Sequence, residues 1–185
     1  MPRAPAAPLK QVHRQNIAPA RQTPQWYAIQ VRYRFEKQVA SQLQSKGLET
    51  YLPLLAEIHH WSDRRQPVDV PLFPGYAFVR VDRSSGARLG VLHTGGIIGF
   101  VSFGNELVAI PVKQIDDLKM LLAQKVPCSL YPFLRVGQRV RIRGGCLDGL
   151  EGILDQHQEK NLVIAIECIE RSVAIKIEGY ELELI

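Results

Sequence analysis

Cysteine, methionine and tryptophan are scarce in this sequence, with three, two and two residues among 185. Cys128, Cys146 and Cys168 form no C-x-x-C pair, and an odd count leaves one thiol over. Neither a disulfide framework nor a zinc site of the usual spacing fits them, so the expectation is reduced thiols in a cytoplasmic protein. No apolar run approaches the roughly 20 residues a membrane-spanning helix needs, which argues against a membrane as partner. Residues 1–25 contain no acid and no hydrophobic h-region, so the segment is not read as a secretory signal.

The ingredients of catalysis are equally thin. No serine sits in a G-x-S-x-G turn. Asp116 and Asp117 are neighbours on a predicted helix, where side chains diverge by about 100° and cannot flank one substrate. His59 and His60 are neighbours on a predicted strand and face opposite sides, a poor metal clamp. The expectation is a protein that is not an enzyme and needs neither cofactor nor metal.

The net charge of +5 is unevenly spread. Residues 1–25 carry Arg3, Lys10, Arg14 and Arg21 for +4, residues 26–123 carry +2, and residues 124–185 carry −1. The leading segment is rich in Pro, Ala, Gln and Arg, reads as disordered, and has the charge of a basic arm. An uneven basic balance permits nucleic-acid contact without requiring it.

The stretch Val70-Pro71-Leu72-Phe73-Pro74-Gly75-Tyr76-Ala77-Phe78-Val79-Arg80-Val81 organises the rest. From Tyr76 it alternates as a strand, Tyr76 and Phe78 on one face and Ala77, Val79 and Val81 on the other. Both faces are apolar, so both need a cover, either the protein's own helices or a partner. Upstream, Trp26-Tyr27-Ala28-Ile29-Gln30-Val31 reads as a strand. A helix over 35–46 carries Phe35, Val39 and Leu43 as its apolar stripe, and short strands follow at 49–52 and 57–61. A polar turn at 62–66 returns the chain to 68–72 as a hairpin. Downstream, Ser84 caps a helix through 93, and 97–103 is a strand. Pro111 opens a helix over 112–123 with Ile115, Leu118 and Leu122 as its stripe. The order β-α-β-β-β-α-β-α describes an α+β domain, a mostly antiparallel sheet with flanking helices.

Residues 124–134, with Pro127 and Pro132, read as a linker. From 135 the pattern is wholly β, with strands at about 150–156, 162–166, 172–177 and 181–184, the signature of a small barrel. Arg139, Arg141 and Arg143 alternate with Val140 and Ile142, which suits an RNA-facing stripe or the solvated face of a barrel strand. The domain reading is therefore a basic tail over 1–25, one domain over 26–123, a linker over 124–134 and a second domain over 135–185.

The glycine run Gly137-x-x-Val140-x-Ile142-x-x-Gly145-x-x-x-Gly149-x-x-Gly152 is the most specific spacing in the chain. Gly145 and Gly149 suit turns with positive φ, and Gly152 suits a close backbone approach where the barrel closes. No Lys-Ser/Thr follows, so the run is not a phosphate loop. It resembles a KOW motif. Trp26-Tyr27, Phe35-Glu36, Pro53, Phe73-Pro74-Gly75-Tyr76, Gly99-Phe100-Val101 and Ile110-Pro111 resemble the NGN domain of NusG-type transcription factors. Both motif sets occur in the family's order, and the resemblance covers residues 26–185.

The resemblance implies an SH3-like β-barrel KOW domain behind an NGN domain, and a factor that rides on RNA polymerase. Its clamp-binding hollow would use Gln30, Pro74, Tyr76, Phe78, Phe103 and Ile115. The gate-loop contact would fall on Ala87, Arg88 and Leu89, where the specialised factor RfaH carries His-Thr-Thr. Non-template DNA would meet Arg32, Gln38, Gln42 and Lys46. Leu147 and Leu150 stand where housekeeping members carry Phe for docking a small-subunit ribosomal protein or Rho, which weighs against Rho. Phe100-Val101-Ser102-Phe103-Gly104 running into 106–111, and a C-terminal end without a Phe-Gly-Arg turn, favour a specialised antiterminator of the RfaH or UpxY kind. The alternatives are housekeeping NusG, or a KOW-containing RNA-binding or ribosome-associated protein without polymerase contact.

Overall fold

The computed structural model describes residues 23–60, 65–83, 85–134, 137–155 and 161–185. The readings of the leading tail over 1–22, the hairpin tip at 61–64, the Ser84 cap, the start of the β pattern at 135–136 and strand residue 156 lie outside the described residues. So do the side chains of His59 and His60.

β-branched and aromatic residues make β1 (Gln25–Val31) the centre of the first sheet. It pairs antiparallel with β5 (Tyr76–Val81), β6 (Ile97–Phe100) and β9 (Ala109–Ile110), and β2 (Glu49–Tyr51) adds to β5. Alternation sorts the side chains into two cores. Tyr27, Ile29, Val31, Ala77, Val79 and Val81 join Val39 and Leu43 of α1 (Glu36–Ser45) and Val91 of α2 (Ser85–Leu92). Trp26, Ala28 and Phe78 join Ile115, Leu118 and Leu121 of α3 (Val112–Ala123) on the opposite face.

The chain therefore covers β5 on both faces itself. Phe78 is fully buried, stacked on Tyr51 and edge-on to Phe73, each 6.3 Å between ring centroids. Its cover is α3 and these two rings, which corrects the expectation that Phe78 awaits a partner. Ile115 is likewise fully buried beneath α3. Phe35 lies just before α1 and is 40% exposed, so that helix's buried apolar stripe begins at Val39. Leu121 takes the fully buried place on α3 expected for Leu122, which packs only partly against the same core.

Two features place the edge of this sheet. The Pro74-Gly75 turn is pinned when the Gly75 N–H donates to Oε1 of the buried Glu36 at 2.8 Å, while its carbonyl accepts from the Val31 N–H at 2.8 Å. Tyr76 is thereby fixed at the start of β5. The strand expected over 97–103 is broken after Phe100, and the chain leaves the sheet as a small hairpin of β7 (Ser102–Phe103) and β8 (Glu106–Leu107). A separate hairpin pairs β3 (Leu54–His60) with β4 (Arg65–Pro71).

The second sheet is six-stranded and antiparallel, in the order β10 (Cys128–Tyr131), β14 (Arg171–Lys176), β13 (Asn161–Ile166), β12 (Glu151–Leu154), β11 (Gln138–Arg143), β15 (Glu181–Leu184). β10 lies within the segment read as a linker. Pro127 and Pro132 punctuate the sequence there, yet both fall just outside the strand, which sits at the sheet's end and needs a partner on one side only. The Ser172 hydroxyl secures it by donating toward the Tyr131 and Pro132 carbonyls at 3.0 and 3.1 Å.

Gly145 and Gly149 adopt φ of +72° and +83°, the left-handed turns expected of them. At Gly152 a Cβ would stand 2.7 Å from the Val163 carbonyl oxygen and 2.8 Å from Leu162 Cγ, where β12 meets β13. The obstructing oxygen belongs to the backbone and cannot swing aside. Gly152→Ala is expected to cost about 1–3 kcal/mol through overpacking, read as a lower denaturant midpoint in urea. An unchanged midpoint would contradict the close approach.

Candidate functional site

Gln30 and Tyr76 are register partners across β1 and β5, and Gln30 pairs with Gly99 on its other side. Gln30 and Pro74 are exposed and Tyr76 is half-buried. Phe103, on the β7–β8 hairpin, is 83% exposed. Tyr76, Phe103 and Val108 form one wall of a cleft of about 690 Å³. Phe133, Leu134 and Ile169 belong to the facing wall, supplied by the second sheet and the segment before it. An exposed aromatic ring beside a half-buried one, with an amide at the rim, is the composition of an interface core.

The expected hollow is thus brought together in part. Gln30, Tyr76 and Phe103 share this edge. Pro74 lines a separate cleft with Tyr33, Leu55 and Leu130. Phe78 and Ile115 lie wholly inside the core and offer no surface as they stand. Sequence reasoning missed Ile98, which is 59% exposed. The register shift between Gln30 and Val31 leaves Ile98 as the extra residue of β6, outside the core that Ile97 and Phe100 join. The Ile97-Ile98 doublet in a strand with one covered face was the available signal.

Ala87, Arg88 and Leu89 fall on α2. Ala87 packs on the core, Leu89 is half exposed, and the buried Arg88 Nε finds no hydrogen-bond partner among the described residues. Gln38, Gln42 and Lys46 repeat every four residues along α1 and into its C-terminal cap, with Arg32 exposed at the preceding turn. The Lys46 ammonium donates to the Gly90 carbonyl at 3.1 Å and to Thr94 Oγ1 at 2.6 Å, tying α1 to the end of α2. Beside Arg32, Tyr33 is largely exposed with the Arg34 guanidinium 5.5 Å from its ring centroid, an aromatic–cation pair that periodicity did not single out.

On the second sheet, register sets Arg141 opposite both Glu151 and Glu183. Arg141 donates to Glu151 Oε1 at 2.7 and 3.0 Å, which holds the Glu151 carboxyl below the usual carboxylate range. Arg143 pairs with Glu183. These guanidiniums are answered by cross-strand carboxylates, so Arg141 and Arg143 do not form an open basic stripe. Leu147 and Leu150 are both fully buried. They fill the core of the second sheet instead of standing at a loop tip, because the turn between β11 and β12 folds them inward.

A further ionic group joins α3 to the second sheet. The Lys113 ammonium donates to Asp117 Oδ1 at 2.6 Å and to the Gly149 carbonyl at 2.8 Å, and lies 3.9 Å from Glu151 Oε1. Burial raises the Asp117 carboxyl pKa although Lys113 works to lower it. Among the described residues no group of three or more His, Cys, Asp or Glu could hold a metal ion. Burial pushes the Cys168 thiol up to about 11. No described helix is long and apolar enough to cross a membrane.

Residues 24–119 match the family model described as NusG, transcription termination factor nusG. The chain is 25% identical over 183 residues to the transcription termination/antitermination protein NusG of Borreliella burgdorferi, covering 86% of this chain and 98% of that one. The protein of the same name from Lactococcus lactis is 24% identical over 179 residues, covering 85% and 91%. Among solved structures it is similar to Thermotoga maritima NusG, studied for its domain interaction, at 18% identity and a TM-score of 0.42 over 88% of this chain and 93% of that one.

Proposed function

The chain belongs to the NusG family of transcription termination and antitermination factors, and from that premise we propose that it binds the RNA polymerase clamp through the edge that carries Gln30, Tyr76 and Phe103. The observation that carries this is Phe103, an aromatic side chain 83% exposed on a hairpin that leaves the sheet beside half-buried Tyr76. A phenyl ring held in water has no stabilising role in the isolated fold, and seating it in a partner's pocket releases that hydration. Val108 extends the same apolar edge.

The bound factor suppresses pausing and termination in the bacterial cytoplasm as a specialised antiterminator. It does so by bridging the polymerase, with the α2 segment Ala87-Arg88-Leu89 at the gate loop. Arg32, Gln38 and Gln42 face the non-template DNA strand, and Lys46 joins them only by releasing Gly90 and Thr94. Residues 26–123 act as the polymerase-binding domain. Residues 135–185, joined through 124–134 and extended by β10, recruit a second partner such as a small-subunit ribosomal protein. That contact uses the surface of the second sheet, since Leu147 and Leu150 are inside it. The test is co-purification with RNA polymerase followed by transcription in vitro through a terminator. A chain that neither comigrates with polymerase nor changes readthrough would overturn the reading.

A further inference from the structure

β15 ends the second sheet, and among the described residues β11 is the only strand paired with it. The Ile185 N–H donates to the Arg139 carbonyl at 3.1 Å, continuing the register in which Arg141 faces Glu183 and Arg143 faces Glu181. Hydrogen-bonded and non-hydrogen-bonded pairs alternate in an antiparallel ladder, so Glu181, Glu183 and Ile185 turn their backbone groups toward β11. Leu182 and Leu184 turn theirs away. Ile142 fixes the same phase: its N–H donates to the Leu150 carbonyl and its carbonyl accepts from the Gly149 N–H, both directed away from Leu182 opposite. The leucine side chains share the face of Val140 and Ile142, yet Leu182 is 38% and Leu184 65% exposed. Neither proline nor lysine blunts this edge, and Glu183 is engaged by Arg141 and Arg143 of its own sheet.

We propose that β15 pairs antiparallel with β15 of a second copy of this chain, about a two-fold axis through Glu183, joining two second sheets into one. The edge is complementary to itself. Centring on Glu183 sets Leu182 opposite Leu184 of the second copy, and the outward N–H and C=O groups of each meet those of the other. Their side chains then lie together on one face as apolar cross-strand pairs. A one-residue slip would oppose leucine to glutamate, so the pattern selects this register. The cost falls on the other face, where Glu183 meets its counterpart. Each of those carboxylates is answered within its own chain by Arg143 and by Arg141 at 3.7 Å. A strand of four residues gives a contact below the standard interface size of about 1,200–2,000 Å². The pairing is therefore weak, with a Kd on the order of 100 µM. It stands independently of the polymerase reading.

The experiment uses the full chain without polymerase. Sedimentation velocity from about 10 µM to about 1 mM is expected to show the native chain passing from monomer toward dimer. Over the same range, amide hydrogen exchange at Leu182 and Leu184 is expected to slow, while the Ile185 amide, already bonded to β11, changes less. Leu184→Pro removes an N–H that the fold itself does not use, and proline is tolerated where a strand's N–H faces solvent. Leu184→Lys keeps the N–H and places a charge on the edge. Both variants are expected to lose affinity by about tenfold or more. Should Leu184→Pro not fold, Leu184→Lys decides. A native chain that stays monomeric to about 1 mM would overturn the proposal. So would a dimer that both folded variants form equally well, or one in which exchange at Leu182 and Leu184 does not depend on concentration.

Discussion

Phe103→Ala is expected to weaken binding to RNA polymerase by roughly thirtyfold, the equivalent of about 2 kcal/mol for an interface hot spot. The same substitution is expected to change stability by less than about 0.5 kcal/mol, as exposed positions usually do. The argument is one of location. Phe103 is 83% exposed, and its hairpin partners are the short strand Glu106–Leu107 and no helix. Truncating it leaves no cavity, so any loss of binding belongs to the interface. Surface plasmon resonance against purified polymerase gives the affinity, and a thermal melt gives the control. Unchanged affinity would place the polymerase contact elsewhere on the chain.

Phe78→Ala is expected to do the opposite, costing about 3–5 kcal/mol of stability through lost burial and an unfilled cavity. The ring is fully buried between Tyr51, Phe73 and α3, in the middle of the central strand pair. Against a typical total of about 5–15 kcal/mol, such a loss leaves the fold marginal. Any loss of polymerase binding in this variant would then follow from unfolding. Guanidinium denaturation monitored by circular dichroism measures the cost. A variant as stable as the native chain would mean that the Phe78 face is open in solution.

The contrast between these two phenylalanines shows what the sequence makes legible. Alternation correctly gives β5 two apolar faces, and Pro111 correctly opens α3. Alternation is silent about whether the second cover is a helix of the same chain, because burial by α3 and burial by a partner select the same residue types. Phe78 was therefore legible as an apolar position and not as core, whereas Ile115 was legible as core from its place in the helix stripe, where it is buried. Leu147 and Leu150 pose the same difficulty at shorter range. Gly149 marks a turn between them, and only the turn's path decides whether leucine points in or out.

β10 was hidden for another reason. Four residues between two prolines carry too little pattern to outweigh the punctuation, and pairing with β14, about 40 residues further on, is a tertiary contact that no local rule records. The glycine spacing, in contrast, was legible to the atom. Gly152 leaves no room for a Cβ because β12 and β13 close there, and spacing within the run was enough to single it out. Ion pairing decided the fate of the arginine stripe. Arg141 and Arg143 look basic in sequence and are answered across the sheet by Glu151 and Glu183, residues 10 and 40 positions away.

The central claim, that this chain joins elongating RNA polymerase through the Tyr76–Phe103 edge, is tested most directly by single-round transcription through an intrinsic terminator with purified polymerase. Native chain is expected to raise readthrough in a saturable manner and to remain with the elongation complex on a size-exclusion column, while Phe103→Ala at the same concentration does neither. Readthrough and comigration that are identical for the native chain and Phe103→Ala would contradict the account.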